Sequence, residues 1–107
     1  MSHVIDMELG PDQLINDLCA AKGAAERCGM VFLEGHKTFK YWGRATKSCD
    51  HAIQLGNGRE MGLVPAAGNP GSWGISLDSM DRHRCDDMLM YYQMECAKLA
   101  AQANGDQ

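Results

Sequence analysis

The stretch SCDHAIQLGNGREMGLVP, residues 48–65, decides the fold, because it contains every feature of a β-hairpin. Apolar positions alternate with polar ones on both sides of a central Asn57-Gly58: Ile53 and Leu55 before it, Met61 and Leu63 after it. Period-two alternation is typical of a half-buried strand. Asn-Gly favours a two-residue type I′ turn, whose central residues both need positive φ. We therefore predict two antiparallel strands with one covered side.

Upstream of this hairpin the pattern predicts a second one. MVFLEGHKTFKYWG, residues 30–43, contains an apolar run, a turn near Glu34-Gly35 and an alternating run in which Phe39 and Lys40 face opposite ways. The next segment, RATKS at 44–48, is polar and is predicted to be a connector.

Downstream, PAAGNPG at 65–71 is predicted to be a loop from its Pro and Gly content. SWGISLD at 72–78 alternates again and predicts a last strand, and residues 79–104 predict a long helix closed by Gly105. The stripe of this helix that we expect to face the core consists of Cys85, Met88, Leu89, Tyr92, Cys96, Leu99, Ala100 and Ala103.

The amino-terminal segment predicts one strand and one helix. Residues 3–9 alternate, Gly10-Pro11 ends the strand, and apolar residues then follow at helical spacing over residues 11–28. Gly29 suits the left-handed cap that commonly follows a helix. The chain thus reads strand, helix, several strands in hairpins, helix. This order predicts a single α+β domain over residues 1–107. Its architecture is a two-layer sandwich, an antiparallel sheet of about five or six strands with two helices on one face.

Composition restricts the class of protein. The net charge of −4 argues against broad electrostatic binding of nucleic acid. No basic start followed by an apolar run indicates a secretory signal, and no stretch approaches the roughly 18 apolar residues of a membrane span. The five cysteines include no CxxC pair, so we expect reduced, mostly buried thiols. These features predict a cytoplasmic protein without a membrane partner, and no glycine-rich phosphate loop precedes a helix to indicate a cofactor.

Several blocks together suggest a family. CDHAI at 49–53, GNGREMGLV at 56–64, GSWGISLDS at 71–79 and a helical tail rich in Tyr, Gln, Lys and Ala follow an opening strand and helix. In this order the chain resembles the uncharacterised family of hypothetical chloroplast open reading frame thirty-five, whose relatives occur in plastids, cyanobacteria and bacteriophages. The resemblance implies the same fold and a phage or plastid-type origin. It implies no activity, because the family has none established.

Four residues have the chemistry of a zinc site: Cys49, His51, His83 and Cys85 offer two thiolates and two imidazoles. His83 and Cys85 fall about 200° apart on a helix, which disfavours joint ligation. A nucleophilic Cys49–His51 pair, or a ligand pocket that also uses Asp50, is the enzyme or binding-protein alternative. The simpler interpretation places both side chains on the side covered by the helices, with Cys49 as small core filling and His51 as a core or strand-edge group that needs a hydrogen-bond partner.

Lys40, Trp42 and Arg44 form a possible contact surface, with an aromatic ring between two cations on the side of the strand opposite Phe39. Such surfaces bind a protein partner or stack single-stranded nucleic acid, and otherwise the ring packs flat on the sheet. If helices cover the Phe39 side, this surface is the free face of the sheet.

The last helix carries a second apolar strip opposite the first: Met90, Met94, Ala97 and Ala101. We predict Met90, Tyr91 and Met94 as interaction residues for self-association or for a protein partner, unless the 65–71 loop covers them. The function predicted from the sequence is a non-enzymatic interaction module that binds a host or phage protein, with inhibition of a host defence system as one form. Nucleic-acid binding and the Cys49–Asp50–His51 site are the alternatives.

Overall fold

The structure, a computed structural model, describes residues 4–7, 9–10, 13–43 and 45–103. The elements in chain order are β1 Val4–Asp6, α1 Leu18–Arg27, β2 Val31–Leu33, β3 Thr38–Trp42, β4 Ala45–Ser48, β5 His51–Gln54, β6 Glu60–Pro65, β7 Trp73–Asp78, a 3₁₀ turn Ser79–Asp81 and α2 Arg82–Ala103.

A five-stranded antiparallel sheet in the order β1-β7-β6-β5-β2 forms the centre of the molecule. Both helices pack on one face of it and enclose the main core, which includes Ile53, Met61, Leu63, Ile75 and Leu77 from the strands. The alternation in the sequence places these odd-numbered side chains together, because successive strand residues point to opposite faces. The predicted α+β sandwich is confirmed.

The central hairpin has the predicted strands but a different turn. Ile53 lies opposite Met61 in β5 and β6, and the N–H of Leu55 donates to the carbonyl of Arg59 at 3.0 Å. The loop therefore spans three residues, and its two glycines have positive φ, whereas Asn57 does not. The prediction of a two-residue Asn57-Gly58 turn was therefore wrong. The Asn57 side chain instead bonds within the loop, where its Oδ1 accepts the Arg59 N–H at 3.0 Å.

The predicted hairpin at 30–43 is also wrong. β2 pairs with β5 at the edge of the large sheet, whereas β3 pairs with β4 in a separate two-stranded sheet. The supposed connector at 44–48 thus contains a strand. Alternation identifies a strand but not its neighbour. Here β3 leaves β2 because the Phe39 ring packs on the far face of the large sheet, over Gly62.

A second, smaller core lies between the two sheets. It consists of buried Phe39, Cys49 and Ala52, with Val4, Leu33, Tyr41 and Val64 packed around them. The β3–β4 sheet therefore packs on the face of the large sheet that the helices leave uncovered. Consequently Phe39 and Cys49 do not face the helices. This is contrary to what the sequence had suggested.

Helix α1 begins seven residues later than predicted. Ile15 forms a two-way backbone bridge with Trp73, with N–O distances of 2.9 and 2.7 Å, so it extends the sheet edge rather than a helix. Asp17 then caps α1 by accepting the Ala20 N–H at 3.1 Å. At the other end Gly29 has φ of +72°, which confirms the predicted cap. Pro11 lies outside the described residues.

Helix α2 is close to its predicted position. Asp78 accepts the N–H of Met80 at 2.9 Å and starts the 3₁₀ turn that leads into the helix. Three stripe residues are buried, Cys85, Met88 and Tyr92, whereas Ala100 and Ala103 are exposed. The predicted end at 104–105 falls beyond the described part. Neither described helix has the length and hydropathy needed to cross a bilayer.

Candidate interaction surfaces

The outer side of the β3–β4 sheet is the first candidate surface, and we call it the hairpin face. Its exposed residues are Thr38, Lys40, Trp42, Thr46 and Ser48. The register places Lys40 opposite Thr46 and Thr38 opposite Ser48. An irregularity between Lys40 and Trp42 interrupts the pairing before Trp42 meets Ala45. One cation and three hydroxyl groups thus form a row on this sheet, and the exposed Trp42 ring follows at its end, beyond the irregularity and opposite Ala45.

Contacts on the inner side hold this face in place. The Phe39 ring sits over Gly62, where a side chain would collide with it. Glu60, which is buried, accepts the backbone N–H of Lys40 through Oε1 at 2.8 Å. The hairpin is therefore fixed both by apolar packing and by a hydrogen bond to an ionisable side chain. Sequence reasoning missed Glu60, because nothing local shows that β3 crosses β6.

Among the described residues, the exposed side chains of the hairpin face form no hydrogen bond or ion pair. Trp42 is 55% exposed, so about half of its surface is accessible to solvent. Within the described residues the Lys40 ammonium forms no ion pair. An open depression of about 290 Å³ lies beside Lys40 and is also lined by Arg59 and Glu60. Arg44, the third predicted residue of this surface, lies outside the described part of the chain.

The outer side of α2 is the second candidate surface. Met90 and Met94 are 53% and 49% exposed, so the 65–71 loop does not cover them. Tyr91 differs from its neighbours: it is half-buried against the core, and the Arg27 guanidinium carbon lies 5.7 Å from its ring centroid. The structure therefore places Met90 and Met94 together on the surface and turns Tyr91 towards α1.

The Cys49–Asp50–His51 segment is occupied by structural contacts. The Cys49 thiol donates to the carbonyl of His36 at 3.3 Å, and Asp50 accepts the indole N–H of Trp73 at 2.9 Å. His51 accepts the Gly35 N–H through Nδ1 at 2.8 Å, and its ring lies edge-on to Trp73 with centroids 5.2 Å apart. Each of these side chains therefore has a partner within the fold, either in the Gly35–His36 turn or at Trp73.

The buried thiols are poor nucleophiles. Burial, together with the nearby carboxylates of Asp50 and Glu60, raises the pKa of Cys49 to about 11. Burial likewise raises the pKa of Cys85 to about 12. Both groups stay protonated near neutral pH, and the thiolate is the reactive form. A Cys49–His51 nucleophilic pair is not assembled here.

The proposed zinc ligands are also separated. Cys49 belongs to the small core between the sheets, whereas Cys85 lies in the main core beneath the helices. His83 is exposed on α2. In the ranges that the structure describes, no three His, Cys, Asp or Glu side chains are placed to bind one metal ion.

One buried polar cluster was not predicted from the sequence. The Asp81 carboxylate is only 1% exposed and accepts two bonds from the Arg59 guanidinium, at 2.7 and 2.9 Å, and one from Asn57 at 3.0 Å. Burial alone would raise the pKa of Asp81, but the bonds from Arg59 and Asn57 hold it below its usual range. This cluster joins the β5–β6 turn to the start of α2. The partners are 22 and 24 residues apart, so no local motif could predict them.

No family model, curated protein or solved structure matches this chain. Function must therefore be inferred from the structure itself. Two surfaces are exposed, and ionisable side chains in the interior form hydrogen bonds within the fold.

Proposed function

We propose that this protein is a non-enzymatic interaction module that binds a protein partner through the hairpin face. One observation carries the proposal: Trp42 is 55% exposed on the same short hairpin as Lys40, whose ammonium has no ion pair in the described part of the chain. Exposed tryptophan is unfavourable in water, and it is among the residues most enriched at the energetic centre of protein interfaces.

The chemistry of the hairpin face defines the partner. Trp42 requires an apolar pocket, Lys40 requires an acidic group next to that pocket, and the hydroxyls of Thr38, Thr46 and Ser48 suit a polar rim. Because Phe39 and Glu60 anchor the other side of this sheet, the face needs little ordering on binding, which favours affinity. The site of action that we propose is the cytoplasm. Inhibition of a host defence protein is one concrete form, and it depends on the family resemblance alone.

The test compares partner capture by matched variants in cells of the source organism. A tagged chain, Trp42→Ala, Lys40→Glu and the control Thr46→Ala are each isolated, and bound proteins are identified by mass spectrometry. We expect one stoichiometric partner with the parent chain and with Thr46→Ala, and its loss with the other two. Equal capture by the parent chain and Trp42→Ala would contradict the proposal, provided that circular dichroism shows both are folded.

Single-stranded nucleic acid is the second candidate, because an exposed indole beside a cation can stack on a base. Trp42 fluorescence separates the two candidates, with Trp42→Phe as the blank for Trp73. Our proposal predicts no quenching by an oligothymidine at micromolar concentration and low salt. Quenching that weakens steeply as salt is added would instead support nucleic-acid binding.

A further inference from the structure

Helix α2 carries a regular exposed strip that its own domain leaves uncovered. Five positions follow at alternating steps of three and four residues, and all are exposed: Asp87, Met90, Met94, Ala97 and Ala101. This is the spacing by which one helix presents a seam to another. Met90 and Met94, at the centre of the strip, are each about half exposed.

The length of α2 adds to this observation. It has 22 residues against 10 in α1, and no residue of α2 after Tyr92 is buried. At 1.5 Å per residue, α2 is about 18 Å longer than the helix packed beside it. The carboxyl-terminal half of α2 therefore has an apolar strip without an equally long neighbour.

The charged residues beside the strip indicate which partner can pack against it. Measured around the helix from Met90, Asp87 lies at about 60° and Lys98 at about 80°, so both flank the same side. In a parallel pair the two-fold axis moves each flank to the opposite side of the seam, so Asp87 and Lys98 of one copy would not meet those of the other. Packed antiparallel about a two-fold axis, a second α2 places each Asp87 beside the Lys98 of the other copy, because the axis keeps each flank on its own side. Of the two orientations, only the antiparallel one brings these opposite charges together.

We propose that two copies of this chain associate through antiparallel packing of α2. Met90 of one copy meets Met94 of the other, Asp87 meets Ala97 and Lys98, and small alanines let the helices approach closely. Only one helix face per copy is buried, so the interface falls below the roughly 1,200 Å² of a standard complex. We therefore expect a reversible dimer with a dissociation constant of about 10 to 100 micromolar.

Sedimentation velocity of the purified chain tests the dimer between about 1 and 500 micromolar, a range that brackets the expected constant. We expect the weight-average mass to rise from one chain towards two. Met90→Glu and Met94→Glu should each keep the protein monomeric throughout, while the exposed Lys47→Asp on β4 should not change the curve. A monomer at every concentration, or a dimer unaffected by both methionine variants, would overturn the proposal.

Charge exchange tests the orientation. Asp87→Lys and Lys98→Asp each place like charges together at two symmetric positions, and each should weaken the dimer by about tenfold. The double variant restores opposite pairs and should return to within about threefold of the parent chain. A double variant as weak as the singles would rule out this antiparallel register. None of these outcomes bears on partner capture through Trp42, which lies on another element.

Discussion

At the scale of single residues, Gly62 decides how closely the two sheets approach. A Cβ at this position would collide with the Phe39 ring and would lie 2.9 Å from the Cβ of Cys49. The glycine is required for space rather than for its backbone, because its φ is not positive. The sequence contains eleven other glycines and no local sign that this one receives an aromatic ring.

Gly62→Ala should therefore destabilise the protein by about 1–3 kcal/mol, because the inserted methyl overfills a packed site. Gly74→Ala is the matched control: it lies in the neighbouring strand, its φ is not positive, and a Cβ there meets nothing within 4 Å. That variant should stay within about 0.5 kcal/mol of the parent chain. Urea unfolding measures both. Similar losses in the two variants would show that the Phe39 contact is not responsible.

At the scale of elements, the sequence predicted strands better than it predicted their neighbours. Alternation correctly separated Phe39 from Lys40, because each strand residue points opposite to the next. It could not reveal where the β3–β4 hairpin packs, since that depends on the contact of Phe39 with Gly62, which is distant in sequence. The predicted start of α1 was wrong for a related reason. Ile15 fits a helical stripe, but in the structure it forms a backbone bridge with Trp73.

The same limit applies to the candidate surfaces. The exposure of Lys40, Trp42, Met90 and Met94 followed from side-chain periodicity, and the structure agrees with it. What covers the opposite side of each element depends on tertiary packing. The expectation that the helices cover the Phe39 side of β3 was wrong. Cys49 is buried and His51 accepts a hydrogen bond, as the packing interpretation expected, but Cys49 was assigned to the wrong face. The Arg59–Asp81 pair had no local signal, because its members lie in different elements.

Arg59→Ala tests how strongly that pair joins the β5–β6 turn to α2. It would leave the Asp81 carboxylate buried with only Asn57 in hydrogen-bond range and Arg84 at 3.9 Å. We expect a loss of about 3 kcal/mol at neutral pH. Arg84→Ala, which removes the more distant and 41% exposed partner, should change stability by less than about 0.5 kcal/mol.

The pH dependence of this loss identifies Asp81 as the cause. Its pKa is lowered in the folded state, so the stabilisation is complete above the unfolded value of about 4 and disappears as pH falls through the folded value. The difference in unfolding free energy between the parent chain and Arg59→Ala should therefore narrow below about pH 4. A difference that stays constant down to about pH 2 would point to lost packing instead.

At the scale of the whole molecule, single polar side chains join distant parts of the chain. The Tyr92 hydroxyl on α2 accepts the backbone N–H of Asn16 at 2.9 Å and that of Asp17 at 3.2 Å, and it donates to the Asn16 side chain at 3.1 Å. Burial raises the pKa of Tyr92 to about 12, so this hydroxyl keeps its proton near neutral pH. One atom thereby joins α2 to the segment that caps α1, across 75 and 76 residues of sequence.

Tyr92→Phe should lower the unfolding free energy by about 2 kcal/mol, because two backbone N–H groups and the Asn16 side chain lose their partner while the ring still fills the core. Tyr91→Phe is the control, since the Tyr91 hydroxyl makes no hydrogen bond within the described residues and its ring contact with Arg27 persists. It should change stability by less than about 0.5 kcal/mol. Amide hydrogen exchange locates the effect: protection should fall first in α1, whose capping segment is released, and less in β5 and β6. If the loss were uniform over both helices and the sheet, Tyr92 would contribute to global packing alone rather than hold the start of α1 against α2.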